Sequence, residues 1–493
     1  MISIIPETKP NIMIIGTGPH AQKTYVPHLQ LLEARYGPMI QVLVDIEEKR
    51  DSVTEWAAKK CPGVHLHFVP MFTDLMPSRA RAELDEIAVR FHINGIIIAT
   101  EPLSHQVYAL WGLDHGFHIM MDKPITTRVH AGTSVSEAKG IADDYQEILA
   151  AYQKLQKHKT TGFVVSSHRR FNPLIIRAHQ YIREIVERTG CPVTSVSASY
   201  CDGTFRLPIE VIQQDYHTYK QGYGKVSHSG YHIIDMLCEF AKAGLVQSKR
   251  PDEVEVISSF ILPRGFFKMM TQSDYQKIFG AEEYSKTCNF DEQGLLQRVV
   301  GYGELDATAQ LTFRKEGDPV ILAQISMSSN GYGLRSSLIP SKDQYKGSGR
   351  VKHESYEIKC GPFQSIYIES RSVKDSDEPC LPGDFQIGAN NHFEMKVFRN
   401  FELTGHSGAL EVLHLADLAE TEGYDHTKLY TEQAKGKMIL EFVQSIKGEL
   451  LPSELTSNID DHRLPVEIMS AMYLSHINHQ ASNGSPIVKV QGV

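Results

Sequence analysis

The 493-residue chain lacks three features that would each indicate a specialised class of protein. Its seven cysteines are scattered without a C-x-x-C pair, so neither a disulfide scaffold nor a zinc ribbon is expected. No stretch approaches the roughly 18 apolar residues of a membrane-spanning helix, and Met1 to Pro10 does not resemble a secretory signal. The formal net charge of -9, without a basic tail, argues against nucleic acid or an acidic membrane as the main partner. A cytoplasmic globular protein is expected.

A glycine-rich turn is the strongest local signal in the chain. Gly16-Thr17-Gly18-Pro19-His20-Ala21 directly follows the apolar run Ile12-Met13-Ile14-Ile15. In such a turn the first glycine closes a tight bend, the second lets a pyrophosphate approach the backbone, and alanine is accepted at the third position. The free N–H groups and the positive dipole end of the following helix favour an anion. The pattern predicts a dinucleotide site formed by Gly16, Gly18, Pro19, His20 and Ala21.

Asp45 ends the next apolar run, Gln41-Val42-Leu43-Val44, close to the spacing of about 20 residues usual for the acid that binds a ribose. Its carboxylate can accept both ribose hydroxyls of NAD and repels the additional phosphate of NADP. NAD is therefore the expected cofactor, and NADP is less favoured. Pro27 predicts a short first helical turn followed by a restart with the proline at the N1 position.

The chain has the length of about two domains. Up to residue 167, short apolar runs alternate with amphipathic helical stretches, which predicts parallel strands joined by helical crossovers. We expect an α/β Rossmann dinucleotide-binding domain over residues 1–167. Its predicted strands are Ile12 to Ile15, Gln41 to Val44, His65 to Val69, Gly95 to Ala99, His118 to Met121 and Gly162 to Ser166. Its predicted helices lie near 51–60, 79–91, 105–115 and 140–158.

Beyond residue 167 the hydrophobic period changes to two, as in Val193 to Tyr200 and Glu253 to Ile257. We expect residues 168–493 to form an α+β domain with a mostly antiparallel open sheet, covered on one side by helices near 173–189 and 229–242. Segments near 263–303 and 371–430 have the composition of surface insertions. The other strands are predicted at Asp306 to Phe313, Val320 to Met327, Val351 to Ile358 and Ser365 to Ser370.

Four further segments place polar side chains at predicted strand ends or helix starts, where ligands gather in open α/β sheets. Thr100-Glu101-Pro102 with His105 follows the fourth strand, and Asp122-Lys123-Pro124 follows the fifth. The segment after the sixth strand is Ser167-His168-Arg169-Arg170-Phe171-Asn172-Pro173. The last opens a helix of the second domain and reads Ser227-His228-Ser229-Gly230-Tyr231-His232-Ile233-Ile234-Asp235.

Taken in order, these motifs resemble those of the glucose-fructose oxidoreductase and myo-inositol dehydrogenase family, called Gfo/Idh/MocA. The resemblance covers nearly the whole chain. It includes the glycine fingerprint, the Thr-x-Pro-x-x-His turn at Thr100, Pro102 and His105, the Glu-Lys-Pro triplet written here as Asp122-Lys123-Pro124, and the Gly-x-His-x-x-Asp helix start at Gly230, His232 and Asp235.

The resemblance implies an NAD(P)-dependent enzyme that oxidises or reduces a CH–OH group of a sugar, polyol or cyclitol. It implies that Lys123 faces the nicotinamide ribose and the reacting oxygen, and that His232 is the acid/base. It also assigns Thr100, Pro102, His105 and Asp122 to the cofactor. The chemistry agrees, because a neutral imidazole suits removal of a hydroxyl proton and an ammonium stabilises the developing oxyanion.

One position departs from the family pattern. The residue four before the histidine is usually aspartate in the family, whereas it is His228 here. A second imidazole does not supply the permanent negative charge of a carboxylate. Either His228 itself takes the proton or the dehydrogenase activity is altered, so both histidines are kept in the site. Their i, i+4 spacing also suits two metal ligands, but no third ligand is obvious and no metal is expected.

Four residues are candidate substrate contacts. His168, Arg170 and Asn172 follow a strand end, although an ordinary charged loop has the same composition. Tyr219 belongs to a tyrosine-rich stretch that forms either a sugar-binding wall or simple packing under a loop. The basic residues Arg206 and Lys225 hint at an anionic group on the ligand.

Two alternatives remain open at this point. One is an NAD-holding glycosidase of the same family, which uses transient oxidation without net redox change. The other is a non-catalytic nucleotide sensor or partner-binding protein, which the replacement of the usual aspartate by His228 would favour. In either case the free face of the antiparallel sheet predicts a homodimer or homotetramer.

Overall fold

The computed structural model describes residues 9–338, 349–373, 391–418, 425, 429–481 and 484–492. These residues group into two compact units. The first consists of Met1–Thr127, Ala142–Phe171 and Thr431–Arg463, and the second of Arg128–Ile141, Asn172–Tyr430 and Leu464–Val493. The first unit thus includes a late segment of the chain that a simple division at residue 167 does not anticipate.

The first unit is built on a six-stranded parallel sheet with the order β3-β2-β1-β4-β5-β6. All residues of the central strands β1 and β4 are buried, as expected for parallel strands covered on both faces. This confirms the predicted α/β Rossmann domain. The strands are β1 Ile12–Ile15, β2 Ile40–Ile46, β3 His65–Val69, β4 Gly95–Ile98, β5 His118–Met121 and β6 Phe163–Val165.

The helices of the amino-terminal part follow these strands in alternation. They are α1 Val26–Tyr36, α2 Arg50–Lys60, α3 Ser78–Arg90, α4 His105–Asp114 and α5 Val135–Gln156. A π-helical turn, Ala21–Tyr25, precedes α1, and Pro27 lies in the first turn of α1. The predicted restart with Pro27 at N1 is wrong, because helical backbone runs without a break from residue 19 through the π-helical turn to Tyr36 and Pro27 is the second residue of α1. The wider π turn just before Pro27 accommodates the N–H that proline lacks.

The second unit is built on a sheet whose nine described strands have the order β14-β13-β12-β11-β7-β10-β9-β8-β15, and among these strands only β7 and β10 pair in parallel. This confirms the predicted mostly antiparallel sheet of an α+β domain. Its strands are β7 Ser195–Cys201, β8 Glu253–Ile261, β9 Asp306–Lys315, β10 Asp318–Ser328, β11 Lys352–Cys360, β12 Gln364–Ser372, β13 Asn391–Arg399, β14 Leu410–His414 and β15 Val488–Gln491.

One face of this sheet packs against α6 and α8, and along its strands buried and more exposed residues alternate. Helix α8 is buried along almost its whole length. The remaining helices are α6 Pro173–Thr189, α7 Pro208–Gln213, α8 Tyr231–Lys242, α9 Pro263–Met269, α10 Gln272–Phe279, α11 Ala281–Ser285, α12 Glu292–Arg298, α13 Phe401–Thr404, α14 Tyr430–Lys447 and α15 Arg463–Gln480.

The two segments that have insertion-like composition contain regular structure. Residues 263–303 hold α9 to α12, whose buried side chains Phe267 and Tyr275 belong to two small hydrophobic clusters. The segment 371–430 contains β13 and β14, although 374–390, 419–424 and 426–428 lie outside the described residues. Among the described helices, none combines the length and hydropathy needed to cross a membrane.

Candidate nucleotide-binding and catalytic residues

The glycine turn of the first unit has a geometry that only glycine accepts at Gly16. This residue has φ +91°, and a Cβ built on it would lie 2.5 Å from the carbonyl oxygen of Ala99. Its N–H donates to the carbonyl of Val44 at 2.8 Å, which ties the bend after β1 to the neighbouring strand β2. Glycine is therefore required at this position because the backbone of the turn is in direct contact with the chain at two neighbouring strands.

Gly18 differs from Gly16 because a Cβ built on it meets no atom within 4 Å. The open space lies at the start of the following helix, whose first helical residues are Pro19 and His20. Backbone amides at a helix start, beside a residue without a side chain, form the cradle that a phosphate needs. The residues here therefore fit a dinucleotide pyrophosphate.

Asp45 lies at the end of β2, as predicted, but its carboxylate is already engaged by the glycine turn. Oδ2 accepts hydrogen bonds from the Thr17 backbone N–H at 2.8 Å and from the Thr17 hydroxyl. Oδ1 accepts the backbone N–H of Ile46 at 2.8 Å. Because each carboxylate oxygen offers two lone pairs, only Oδ1 keeps an acceptor position for a ribose hydroxyl. Asp45 thus also orders the turn.

His105 contacts the backbone of the loop after β4 and fixes its position. This side chain is fully buried, and its Nδ1 and Nε2 lie 2.9 Å from the carbonyl of Pro124 and 3.2 Å from that of Thr100. Pro102 is buried in the short 3-10 turn that leads into α4. His105 therefore ties the loop after β4 to the loop after β5, and its effect on a bound cofactor would be exerted through these two loops.

Asp122 and Lys123 follow β5, and the Lys123–Pro124 peptide bond is cis. Asp122 accepts a hydrogen bond from the Tyr25 hydroxyl, and His20 Nε2 lies 3.7 Å from the same carboxylate. Tyr25 is fully buried and also contacts Ser166 at 3.2 Å. This network joins the glycine turn to the ends of β5 and β6.

Positive charge concentrates around two histidines in this region. Burial lowers the pKa of His20 to about 4 against the opposing charge of Asp122, and Lys435 and Lys123 lower it further. Burial also holds the pKa of His168 well below its usual value, together with Arg169 and Lys435. Both imidazoles are therefore neutral near pH 7, and an anionic group placed among them would meet several cations.

Lys435 was missed in the sequence analysis. It lies on α14, where its ammonium group donates to Glu432 Oε1 at 2.7 Å. Helix α14 packs its apolar side chains, including Met438 and Phe442, into the core around β1 and α1. A lysine more than three hundred residues from Lys123 in sequence has no spacing signal that would connect the two.

Two predicted substrate residues are engaged in contacts within their own units. Arg170 is buried, with its Nη1 3.3 Å from the carbonyl of Thr456 and 3.8 Å from Asp461. Asn172 caps α6 by accepting the backbone N–H of Leu174 at 3.1 Å. Contact of either residue with a substrate stays a prediction.

In the second unit, a turn of residues 224–230 leads into α8 and carries His228. A Cβ at Gly224 would lie 2.1 Å from the carbonyl oxygen of Glu304, so the two backbones are in direct contact. Glu304 also accepts the Val226 N–H at 2.8 Å and the Tyr473 hydroxyl at 2.9 Å. The turn is therefore fixed by a buried carboxyl group from the segment before β9.

His228 and His232 are both buried, with exposed fractions of 5% and 4%. His228 lies among aromatic rings, 4.8 Å from that of His217, 5.7 Å from Tyr219 and 5.5 Å from Tyr223 between ring centroids. His232 lies in the first turn of α8, which starts at Tyr231. The two histidines therefore come from adjoining but different elements, the turn and the helix.

A buried ionic cluster lies beside this turn. Asp202 contacts both Lys225 and Arg350, and all three are almost fully buried. Burial by itself raises the pKa of Asp202, but the charges of Lys225 and Arg350 outweigh it and hold that pKa well below its usual range. Arg206 contacts the Tyr219 hydroxyl at 3.4 Å, which links the basic residues to the aromatic group around His228.

Comparison with known proteins agrees with this description. Residues 10–159 match the model of the GFO_IDH_MocA family, described as an oxidoreductase family with an NAD-binding Rossmann fold. No curated protein matches the chain in sequence.

Solved structures with the same fold cover nearly the whole chain at low identity. Aldose-aldose oxidoreductase from Caulobacter crescentus, complexed with glycerol, is 13% identical, with 98% of this chain and 99% of that chain covered and a TM-score of 0.55. The WlbA dehydrogenase from Chromobacterium violaceum, in complex with NADH and UDP-GlcNAcA, is 15% identical, with 100% and 99% covered and a TM-score of 0.54. A putative myo-inositol dehydrogenase from Sinorhizobium meliloti 1021 is 12% identical, with 98% and 99% covered and a TM-score of 0.51.

Proposed function

We propose that this chain, whose residues 10–159 match the model of the Gfo/Idh/MocA family of NAD-binding oxidoreductases, transfers a hydride between NAD and a secondary alcohol of a sugar, polyol or cyclitol. The observation that carries the proposal is the glycine turn, in which Gly16 closes the bend and Gly18 leaves open space at the start of the following helix. The sugar and inositol enzymes among the solved structures of this fold support the substrate class.

The chemical roles are assigned as follows. Bound NAD would accept the hydride. His232, assisted by His228, would remove the proton of the substrate hydroxyl, because a neutral imidazole is a competent base near pH 7. Lys123 would stabilise the negative charge that develops on the same oxygen. Reduction would follow the same steps in reverse.

Asp45 supports NAD over NADP. Its carboxylate is 6% exposed, and one acceptor position remains on Oδ1 after the bonds to Thr17 and Ile46. A ribose hydroxyl can donate to that position, whereas a phosphate would be repelled by the negative charge. Fluorescence titration should show tighter binding of NADH than of NADPH, and the reverse order would contradict this part of the proposal.

The catalytic proposal is tested with Lys123→Ala and His232→Ala. Each should reduce kcat by at least about 100-fold on a substrate found in a polyol and sugar panel, with NADH binding retained in the histidine variant. Matched controls are Lys154→Ala and His479→Ala, since both side chains are exposed. Wild-type turnover in both test variants would show the mechanism to be wrong.

The same assays separate the two alternative functions. Sugar release without accumulation of NADH would indicate the glycosidase. Tight NADH binding without hydride exchange on any member of the panel would indicate the nucleotide sensor.

The open sheet face supports self-association. It forms a groove of about 990 Å³ whose lining includes Gln310, Gln324 and Tyr367. Exposed apolar side chains lie on the same face, with Leu322 60% and Phe398 46% exposed. Covering such a surface with a second subunit removes apolar area from water, so a homodimer or homotetramer is expected. Sedimentation showing only monomer at micromolar concentration would contradict this expectation.

A further inference from the structure

Two strands of the second unit bring three metal-ligand side chains together, and two of these, Glu369 and Glu394, line the groove of the open sheet face. Glu369 on β12 lies directly opposite Glu394 on β13 in the antiparallel register. His392 precedes Glu394 by two residues and therefore lies on the same face of the sheet. One ligand atom from each of the three side chains lies within 4.8 Å of the others.

The burial of these groups is not explained by hydrogen bonds. His392 is 1% exposed, and neither of its ring nitrogens has a hydrogen-bond partner among the residues that the structure describes. Glu394 is 2% exposed, and its Oε2 is also buried without a partner among them. Buried polar atoms normally find partners, because leaving them without one costs free energy. A cation between these atoms would supply the missing partner to both side chains.

Basic side chains outside the cluster bond one oxygen of each carboxylate. Lys396 donates to Oε1 of Glu394 at 2.6 Å. Arg371 donates to Oε1 of Glu369 at 3.2 Å, and His353 lies 3.3 Å from the same oxygen. Each carboxylate is thus held through one oxygen from outside the cluster, an arrangement that is typical of the partners that orient metal ligands.

We propose that Glu369, His392 and Glu394 bind a divalent transition-metal ion of the zinc class. One imidazole and two carboxylates suit such an ion, and three protein ligands leave a position for water. Bonds of about 2.1 Å in tetrahedral geometry place ligand atoms about 3.4 Å apart. The three atoms, now within 4.8 Å, reach this spacing by modest side-chain movement. The ion would cross-link β12 and β13.

The test uses tag-free full-length protein freed of metal with EDTA. Titration with Co²⁺, followed by its visible absorption bands, should show saturable binding of about one ion per chain, and Zn²⁺ should compete. His392→Ala and Glu394→Gln should each weaken binding by at least about tenfold. His479→Ala and Glu357→Gln are matched controls outside the cluster and should bind as the wild type does.

Circular dichroism establishes that each variant is folded, and either of the two cluster variants suffices for the comparison. A His228→Ala variant tests the other histidine pair of this unit. The proposal is overturned if the wild type binds no Co²⁺ or Zn²⁺, if folded cluster variants bind unchanged, or if His228→Ala alone removes the signal.

Discussion

Glu304 offers the sharpest physical prediction, because it combines full burial with a defined structural role. The carboxyl group is 0% exposed, and burial raises its pKa from 4.5 to about 7 despite the bonds from Val226 and Tyr473. Below pH 7 the folded protein therefore holds this group protonated, whereas the unfolded chain ionises it above pH 4.5. Glu304→Gln keeps the acceptor oxygen and cannot ionise.

The sign of the effect follows from proton counting. Between pH 4.5 and about 7 the folded state binds more protons at Glu304 than the unfolded state, so the free energy of unfolding falls as pH rises. Below that window the contribution is fully present, and above it the contribution is lost. A rise of the pKa from 4.5 to about 7 corresponds to about 3 kcal/mol of differential stability.

The measurement is equilibrium urea unfolding of the wild type and Glu304→Gln at pH 4.5, 6, 7 and 8, with Glu282→Gln as an exposed control. The difference between wild type and Glu304→Gln should change by about 3 kcal/mol across the series, with the wild type losing stability at the alkaline end. The free energy of unfolding of the control should change with pH in the same way as that of the wild type. A difference that stays constant with pH would refute the inferred burial of a neutral carboxyl group.

Two further predictions concern the glycine turn and the buried ion cluster. Gly16→Ala should lower the thermal midpoint by several degrees, because the new Cβ would lie 2.5 Å from a backbone oxygen at φ +91°, whereas Gly18→Ala should keep the midpoint and weaken NADH binding. Equal loss of stability in both variants would contradict this distinction. Asp202→Asn should destabilise the fold by about 3–5 kcal/mol in urea unfolding, because Lys225 and Arg350 would remain buried without a counter-charge. An unchanged urea midpoint would contradict this prediction, because it would mean that water compensates the charges of Lys225 and Arg350.

The strands of the parallel sheet could be predicted closely from sequence. β1, β3 and β5 have the predicted bounds, since a short apolar run between turn residues is typical of a strand buried on both faces. β13 was missed although Phe393, Met395 and Val397 alternate with polar residues. The alternation is a readable signal, but it lies in a segment whose surrounding composition is that of a surface insertion.

Side chains that contact a site from a distant part of the sequence could not be predicted. Glu304 fixes the turn before α8 from almost eighty residues away, and Lys435 reaches the region of Lys123 from α14. Neither has a spacing relation to the motif it supports, because the contact exists only after the chain has folded. Asp45 was predicted from its spacing, whereas its bonds to Thr17 depend on how the glycine turn closes.

The turn that carries His228 is bonded by a buried carboxyl group, that of Glu304. The rings around His228 are aromatic or imidazole, and Asp202 is bound to Lys225 and Arg350. Glu304, which bonds the same turn at Val226, is neutral below about pH 7 and ionises above it. The turn therefore gains a negative charge only as the solution becomes alkaline. Because that charge would be buried beside the Val226 N–H, its appearance opposes the folded state, and this is the loss of stability that the urea series measures.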